Sequence, residues 1–356
     1  MDVAVIGATG DVGRQVCVQL IERRIVPVSS RLQLVGRAGS ASASAVHGLR
    51  ADLIDAYAEH APLIDVALRP EDVVADVVVM TAGRTVPSRP GAGTDRHSLT
   101  ADNLVVFSTF AEALAEHGSG HEVVIVMSKP VELAVAVFAE ALGRQRVVGM
   151  GAWLDTLRFR HEIAGSLGIR RQAVGGFVVG QHGDGLVPLW SSVRLTGQTV
   201  EEREAAVARL RGRRSLDDFA GEIESAKQVL LELAATDMWA AFVAIESLPP
   251  DLRTVAGHGS PTRAEQRPPP ARPERRSTWS TPSSTDEIVV ARQVTLDGEI
   301  ALGGRGVQTV AGVPIILGPE GWTRVLLDPL AEDEERRLAA VVGELSGSLP
   351  ALRRAA

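Results

Sequence analysis

Short, continuous apolar runs at 2–6, 31–36, 76–80, 122–127 and 146–149 alternate with helix-period patterns near 11–24, 97–117 and 131–143. Runs of Val, Ile and Met without polar alternation mark strands buried on both faces, and the interleaved helices supply the cover. This predicts an α/β fold whose first half, residues 1–150, is a doubly wound parallel sheet. After residue 150 the pattern changes to long helices near 153–167 and 200–234, with strands near 172–179, 288–296 and 305–317. A charged amphipathic helix over 331–346 follows, with Glu332, Asp333 and Glu334 in its first turn, where the helix dipole favours acids. Residues 151–356 are therefore expected to form a mixed α+β domain. One stretch fits neither pattern. Between 257 and 285 stand Pro261, Pro268, Pro269, Pro270, Pro273 and Pro282 among Arg, Ser and Thr, which bars a helix or central strand and predicts an irregular excursion. The sequence shows no internal repeat.

A chain of 356 residues is long enough for two cores. Its net charge of -7 argues against a general nucleic-acid binder, which normally carries a basic excess on one face. A single cysteine, Cys17, rules out an intramolecular disulfide and a cysteine-based metal site, and its helical spacing after a glycine turn reads as a buried small residue. No metal-ligand set is assigned. With no apolar run of about 18 residues and no basic leader before the first strand, a soluble, cytoplasmic protein is expected, with no membrane partner.

The first strand runs directly into Gly7-Ala8-Thr9-Gly10-Asp11-Val12-Gly13. Glycines at 7, 10 and 13 allow a tight turn and close backbone approach, so a pyrophosphate can sit on the N–H groups at the head of the next helix. The spacing is G-x-x-G-x-x-G, and a tight turn without a ligand is the bland alternative. Dinucleotide folds usually end the second strand on an acid that binds the adenosine ribose; here Gly36-Arg37 stands there, with Ser40 and Ser42 close by. A guanidinium in place of a carboxylate suits a 2′-phosphate, which Ser40 and Ser42 would help bind, and predicts NADP(H), with NAD(H) as the alternative if Arg37 stacks on adenine or faces solvent.

The second chemical signal is a pair of segments, Leu154-Asp155-Thr156-Leu157-Arg158 and Gly180-Gln181-His182-Gly183-Asp184. Reducing a 2-keto acid requires a proton donor at the carbonyl oxygen, and histidine titrates near neutrality. His182 is read as that donor and Asp155 as the acceptor that fixes its tautomer. Arg158, one helical turn after Asp155, can hold a substrate carboxylate with two parallel hydrogen bonds. Each residue alone has an ordinary structural explanation; together, behind a dinucleotide turn, they point to a 2-hydroxy acid dehydrogenase.

These motifs make the chain resemble the lactate/malate dehydrogenase family over nearly its whole length, 250–285 excepted. Thr81-Ala82-Gly83 ends the fourth strand as in the family. Arg96-His97-Ser98-Leu99, with Asn103 after it, resembles the mobile-loop segment and its following helix. Gly312-Val313-Pro314 and Gly318-Pro319-Glu320-Gly321 resemble the C-terminal strands. Gly36-Arg37 is similar to the NADP-using archaeal-type branch. The resemblance implies an N-terminal Rossmann domain and a C-terminal substrate domain, His182 and Asp155 as the proton-relay pair, Arg158 as carboxylate anchor and Arg96 as the loop arginine that polarises the carbonyl. It also implies Thr81, Ala82, Gly83, Asn103 and Ser128 beside the cofactor, and a homodimer or homotetramer.

Three departures bear on the transfer. The family's Asn-Pro-Val-Asp turn reads Lys129-Pro130-Val131-Glu132, so an ammonium either faces the substrate pocket beside His182 or turns to solvent. The loop Ser88-Arg89-Pro90-Gly91-Ala92-Gly93-Thr94-Asp95-Arg96 is two residues longer than usual, which puts the specificity position on Ser88 or Arg89. Arg89 would match the distal carboxylate of oxaloacetate and so favours malate over lactate. The proline-rich 257–285 segment stands where the family has a helix lining the active site. A dinucleotide-binding protein with weak catalysis is the reading from another class; an acyl-modifying enzyme lacks a cysteine near the site, and the one tyrosine, Tyr57, argues against a Tyr-based proton donor.

Overall fold

The structure, a computed structural model, describes residues 1–84, 96–259 and 287–354. Six parallel strands open the fold: β1 (Val3–Ile6), β2 (Arg31–Val35), β3 (Leu63–Ala67), β4 (Val77–Met80), β5 (Val123–Val126) and β6 (Val147–Gly149). They lie in the order β3-β2-β1-β4-β5-β6, with Val3 beside Leu32 on one flank and Val77 on the other. The chain therefore reverses its direction of growth between β1 and β4, which opens a crevice at the carboxyl ends of those two strands.

Helices cover both faces: α1 (Asp11–Glu22), α2 (Ala41–Ala56), α3 (Arg96–His117) and α4 (Val131–Leu142). Strand alternation explains how one short run serves two cores. Val3 and Val5 pack with Cys17, Ile21, Leu34 and Leu53, whereas Ala4 and Ile6 pack with Met80, Phe107 and Phe138 on the opposite side. Fully burying each large apolar side chain contributes about 1.5–3 kcal/mol. Cys17 is fully buried among these residues, and burial pushes its thiol up to about 12.

The second half continues the same sheet with antiparallel strands. Helix α5 (Gly151–Leu167) leads to β7 (Val174–Gly180) and β8 (Leu186–Leu195), then to α6 (Val200–Arg211), α7 (Phe219–Thr236), α8 (Met238–Ser247) and α9 (Pro250–Gly259). Strand β9 (Ile288–Thr295), the small β10 (Ala301–Leu302) and β11 (Arg305–Gly306) hairpin, β12 (Val310–Gly318), β13 (Gly321–Val325) and α10 (Glu332–Arg354) complete it. The sheet order runs on as β6-β9-β12-β7-β8, with β13 paired to β12. A core of Phe159, Val178, Trp190, Leu252, Val294, Val313 and Leu338 holds this C-terminal sheet and helix domain.

The α/β class and the Rossmann-like first half agree with the sequence reading, and several elements correct it. Helix α2 and strand β3 were not expected: α2 is rich in Ala and Ser, and β3 is an edge strand with Asp65 inside it and Leu63 exposed. The single helix expected over 200–234 is two, because Gly212 stops α6 in a left-handed conformation at φ 65°. Strand β8 and helices α8 and α9 were also missed, and the strand expected from 305 starts at 310 after a separate hairpin. Helix α9 carries regular structure to Gly259, into the stretch expected to be irregular from 257; the rest of that stretch falls in 260–286, outside the described residues. Among the described residues, no helix is long and apolar enough to cross a membrane.

Candidate active site

The glycine turn sits at the carboxyl end of β1, facing the end of β4. Gly7 has φ 83°, and a Cβ there would lie 2.7 Å from the Ala82 nitrogen. A Cβ on Gly13 would overlap the Gly7 carbonyl oxygen, which itself accepts the Gly10 N–H at 3.0 Å. Among the described residues no side chain caps α1, and Gly10, Asp11 and Val12 are exposed while Thr9 is half-buried, so its first N–H groups open on solvent. An uncapped helix start behind a turn that excludes two Cβ atoms fits a dinucleotide pyrophosphate, and the residues present satisfy that test.

At the ends of β4 and β5, side chains tie the loops together. Thr81 Oγ1 donates to the Ile6 carbonyl at 2.7 Å, and Ser128 Oγ to the Ala82 carbonyl at 2.6 Å. Asn103, buried, donates to the Lys129 and Arg84 carbonyls at 2.8 and 3.0 Å and accepts the Arg84 N–H at 2.6 Å. Gly83, at φ 150°, packs on that amide. Thr81, Ser128 and Asn103 thus hold the floor of the crevice. Lys129 joins Pro130 through a cis peptide; its side chain is exposed and its carbonyl accepts the Asn103 amide.

At the end of β2, Gly36 is confined by the Ser42 carbonyl and Val46, each 3.1 Å from where a Cβ would be. The Arg37 side chain is exposed. Its backbone N–H donates to Ser42 Oγ at 2.8 Å, and Ser40 Oγ donates to its carbonyl at 2.7 Å. The serines thus shape the turn that presents Arg37, and the guanidinium is the group left facing outward.

The acid–base residues converge from two elements. Asp155 and Arg158 stand one turn apart on α5, and His182 begins the turn after β7, between Gly180 at φ 86° and Gly183 at φ 96°. Asp155 is 2% exposed at its side chain and divides its two oxygens. Oδ2 meets His182 Nδ1 at 2.8 Å and Oδ1 meets Arg158 Nη1 at 3.3 Å. A carboxylate only accepts, so Nδ1 carries the hydrogen and Nε2 is the atom able to exchange a proton with a ligand. Arg158 keeps 27% of its side chain exposed. Arg96 heads α3, whereas Ser88 and Arg89 lie outside the described residues.

Three further residues complete the surroundings of His182, and none was assigned a role from sequence. Gly151 lies directly beneath it: a Cβ there would stand 2.6 Å from His182 Cβ and Cγ. Gln293, fully buried in β9, accepts the Ala152 N–H at 2.9 Å, while its Nε2 has no partner among the described residues. Glu132, buried on α4, accepts the His182 backbone N–H at 2.7 Å. The available signal was a lone acid in the otherwise apolar run VELAVAVF and the Arg292-Gln293 pair inside the apolar run VVARQV.

Burial holds the Glu132 carboxyl above its ordinary 4.5, opposed by its hydrogen bonds and His182 and helped by Asp155. A carboxyl whose folded pKa is raised stabilises the fold fully below its unfolded value, and loses that contribution as pH rises through the folded one. Glu132→Gln is therefore expected to raise Tm at pH 8 by something on the order of 2 °C. The gain should vanish as pH falls toward the unfolded carboxyl range, in melting curves taken from pH 4.5 to 8. A constant difference across that range would contradict the assignment.

A dinucleotide crevice with a buried acid–histidine pair and an arginine at its edge defines an oxidoreductase of the 2-hydroxy acid dehydrogenase class. Residues 1–149 match the family described as lactate/malate dehydrogenase, NAD binding domain. Malate dehydrogenase of Halobacterium salinarum is 28% identical over 358 residues, 97% of each chain. Malate dehydrogenase of Syntrophotalea carbinolica is 30% identical over 288 residues, 78% of this chain and 77% of its own. Among solved structures, apo malate dehydrogenase from Picrophilus torridus superposes with a TM-score of 0.65 at 17% identity, covering 99% of this chain and 98% of that one. Lactate dehydrogenase from Eimeria maxima with NADH and oxamate gives 0.66 at 18% identity, covering 99% and 94%. The chain belongs to the lactate/malate dehydrogenase family.

Proposed function

We propose that this protein is an NADP(H)-linked malate dehydrogenase that interconverts oxaloacetate and malate. The observation that carries the reading is the one buried carboxylate of Asp155 binding both His182 and Arg158. Arg158 holds the substrate's C1 carboxylate, with the fork geometry of a guanidinium fixing its orientation. In the reducing direction His182 starts as the imidazolium; Nδ1–H stays on Asp155 while the Nε2 proton passes to the substrate's carbonyl oxygen. Asp155 stabilises the cation and keeps the ring in one tautomer after transfer. Arg96, from the head of α3, polarises the carbonyl. The nicotinamide cofactor supplies the hydride when bound. Gly7, Thr9, Gly10, Asp11, Val12 and Gly13 would hold its pyrophosphate, and Gly36 and Arg37 its adenosine end, with Ser40 supporting Arg37.

Support for NADP(H), and for the branch that uses it, is the exposed guanidinium of Arg37 where an acid would repel a 2′-phosphate. Support for malate is the pair of long-coverage relatives named malate dehydrogenase, together with Arg89 in the sequence. We put the domain boundary near residue 150, where β6 ends and α5 begins. A homodimer or homotetramer is the assembly the family resemblance implies, and a cytoplasmic location fits a single buried thiol.

Initial rates of NADPH and NADH oxidation against oxaloacetate and pyruvate test the proposal, with direct cofactor binding measured alongside. NADPH with oxaloacetate is expected to be the fastest pair. A preference for NADH overturns the cofactor assignment, and a preference for pyruvate the substrate. Cofactor binding without turnover on either oxoacid would make the chain a dinucleotide-binding protein with a silent site.

A further inference from the structure

His182 is fixed at its ring by Asp155 and crowded from below by Gly151, yet neither contact sets the height of its backbone. That is done from a different part of the chain. Glu132 stands 50 residues earlier, on the second position of α4, in a helix whose neighbouring positions are Val131, Leu133, Ala134 and Val135. All of these are buried, and Glu132 with them. A carboxyl buried in apolar surroundings is costly unless hydrogen-bonded. Its Oε1 takes the His182 N–H at 2.7 Å, so the helix that follows β5 reaches across to the loop that follows β7.

We infer that Glu132 is a positioning residue for the proton transfer: by gripping the His182 amide from the nucleotide-binding half of the chain, it fixes where Nε2 meets the substrate. The inference rests on the dehydrogenase reading for its kinetic consequence, and on geometry alone for the histidine's placement. With the amide held by Glu132 and Nδ1 held by Asp155, the imidazole has two anchors on opposite sides of its Cα and one remaining reactive edge. Loss of the first anchor lets the loop between Gly180 and Gly183 slide, because glycines on both sides of the histidine offer little resistance. A displacement of about 1 Å at a reacting atom costs on the order of 10²-fold in rate. The substrate carboxylate and the cofactor phosphates are held by other residues, so their binding is spared. Glutamine at 132 keeps an oxygen at the Oε1 position and so keeps the grip; alanine does not.

The test compares Glu132→Ala and Glu132→Gln in the full chain, with Glu132→Met, of similar length and without an acceptor, in place of alanine should that variant not fold. Three quantities are read: kcat and KM for oxaloacetate, Kd for NADPH by fluorescence, and the ¹⁵N-histidine NMR signals of His182, assigned by their loss in His182→Ala. The expected result for alanine is a kcat lower by about 10- to 100-fold. KM and Kd should stay within about twofold, a difference well under 1 kcal/mol, and the His182 signals should move from the Nδ1-protonated form to a mixture of tautomers. Glutamine should restore both the rate and the signals. Unchanged His182 signals in the alanine variant would overturn the inference, as would a glutamine variant as impaired as alanine, or a Kd that rises in step with the fall in kcat. The NMR comparison needs no turnover, so a wild-type protein inactive on every oxoacid would remove the functional reading while the histidine signals still decide the role of Glu132.

Discussion

Replacing His182 with alanine is expected to lower kcat for oxaloacetate reduction by about 10³-fold while leaving NADPH affinity unchanged. General acid catalysis by a positioned side chain contributes typically 10²–10⁴-fold, and this imidazole is held with Nε2 as its only exchangeable edge, Nδ1 being 2.8 Å from Asp155. Cofactor affinity should be spared because the glycine turn lies at the end of β1 and draws nothing from the loop after β7. Stopped-flow single turnovers with NADPH preloaded would measure the chemical step itself. A fall of less than about tenfold would remove His182 from the proton path, since that lies below the range for such groups.

The second large effect is expected at Arg158. Its replacement by glutamine should lower kcat/KM for oxaloacetate by about 10³-fold, the scale of breaking a desolvated charge pair that costs 2–5 kcal/mol. Two losses combine in that figure. The substrate carboxylate loses its fork of donors, and Asp155, nearly fully buried, loses the cation on its Oδ1. Lysine should recover only part of the rate, because an ammonium keeps the charge without the parallel pair of bonds. Steady-state kinetics over a wide oxaloacetate range would check this. Equal kcat/KM in the glutamine variant and the wild type would place the carboxylate anchor elsewhere.

How far this site could be read from the chain depended on how local each part is. Asp155 and Arg158 share one helical turn, and the glycines around His182 advertise a tight loop, so spacing alone was enough to bring these three forward. The turn from Gly7 to Gly13 was legible for the same reason. Glu132 and Gln293 were not, because their meaning lies in contacts 50 and 141 residues distant, with the His182 and Ala152 amides. Lys129 shows the opposite case. Its charge drew attention in the sequence, yet its side chain is exposed and the carbonyl, which no residue type reveals, is what Asn103 grips.

The fold followed the same logic. Strands β1, β4 and β5 are buried on both faces and read as unbroken apolar runs, whereas β3, at the edge, carries Asp65 and escaped notice. Helix α2 escaped because an Ala- and Ser-rich segment shows weak periodicity even where Val46, Leu49 and Leu53 are buried. The break between α6 and α7 turns on a conformation at Gly212 that a glycine permits and does not compel.

The ties made by Thr81, Asn103 and Ser128 have a thermodynamic meaning for any occupant of the crevice. Each binds a backbone carbonyl, and together they settle the ends of β4 and β5 during folding. Fixing the backbone of one residue costs about 1–2 kcal/mol of conformational entropy. Here that cost falls on the folding equilibrium, so a ligand meets a surface already in its bound shape and its contacts convert into affinity with little loss. Disturbing the Asn103 amide would consequently weaken binding through the entropy of a crevice no longer set in advance.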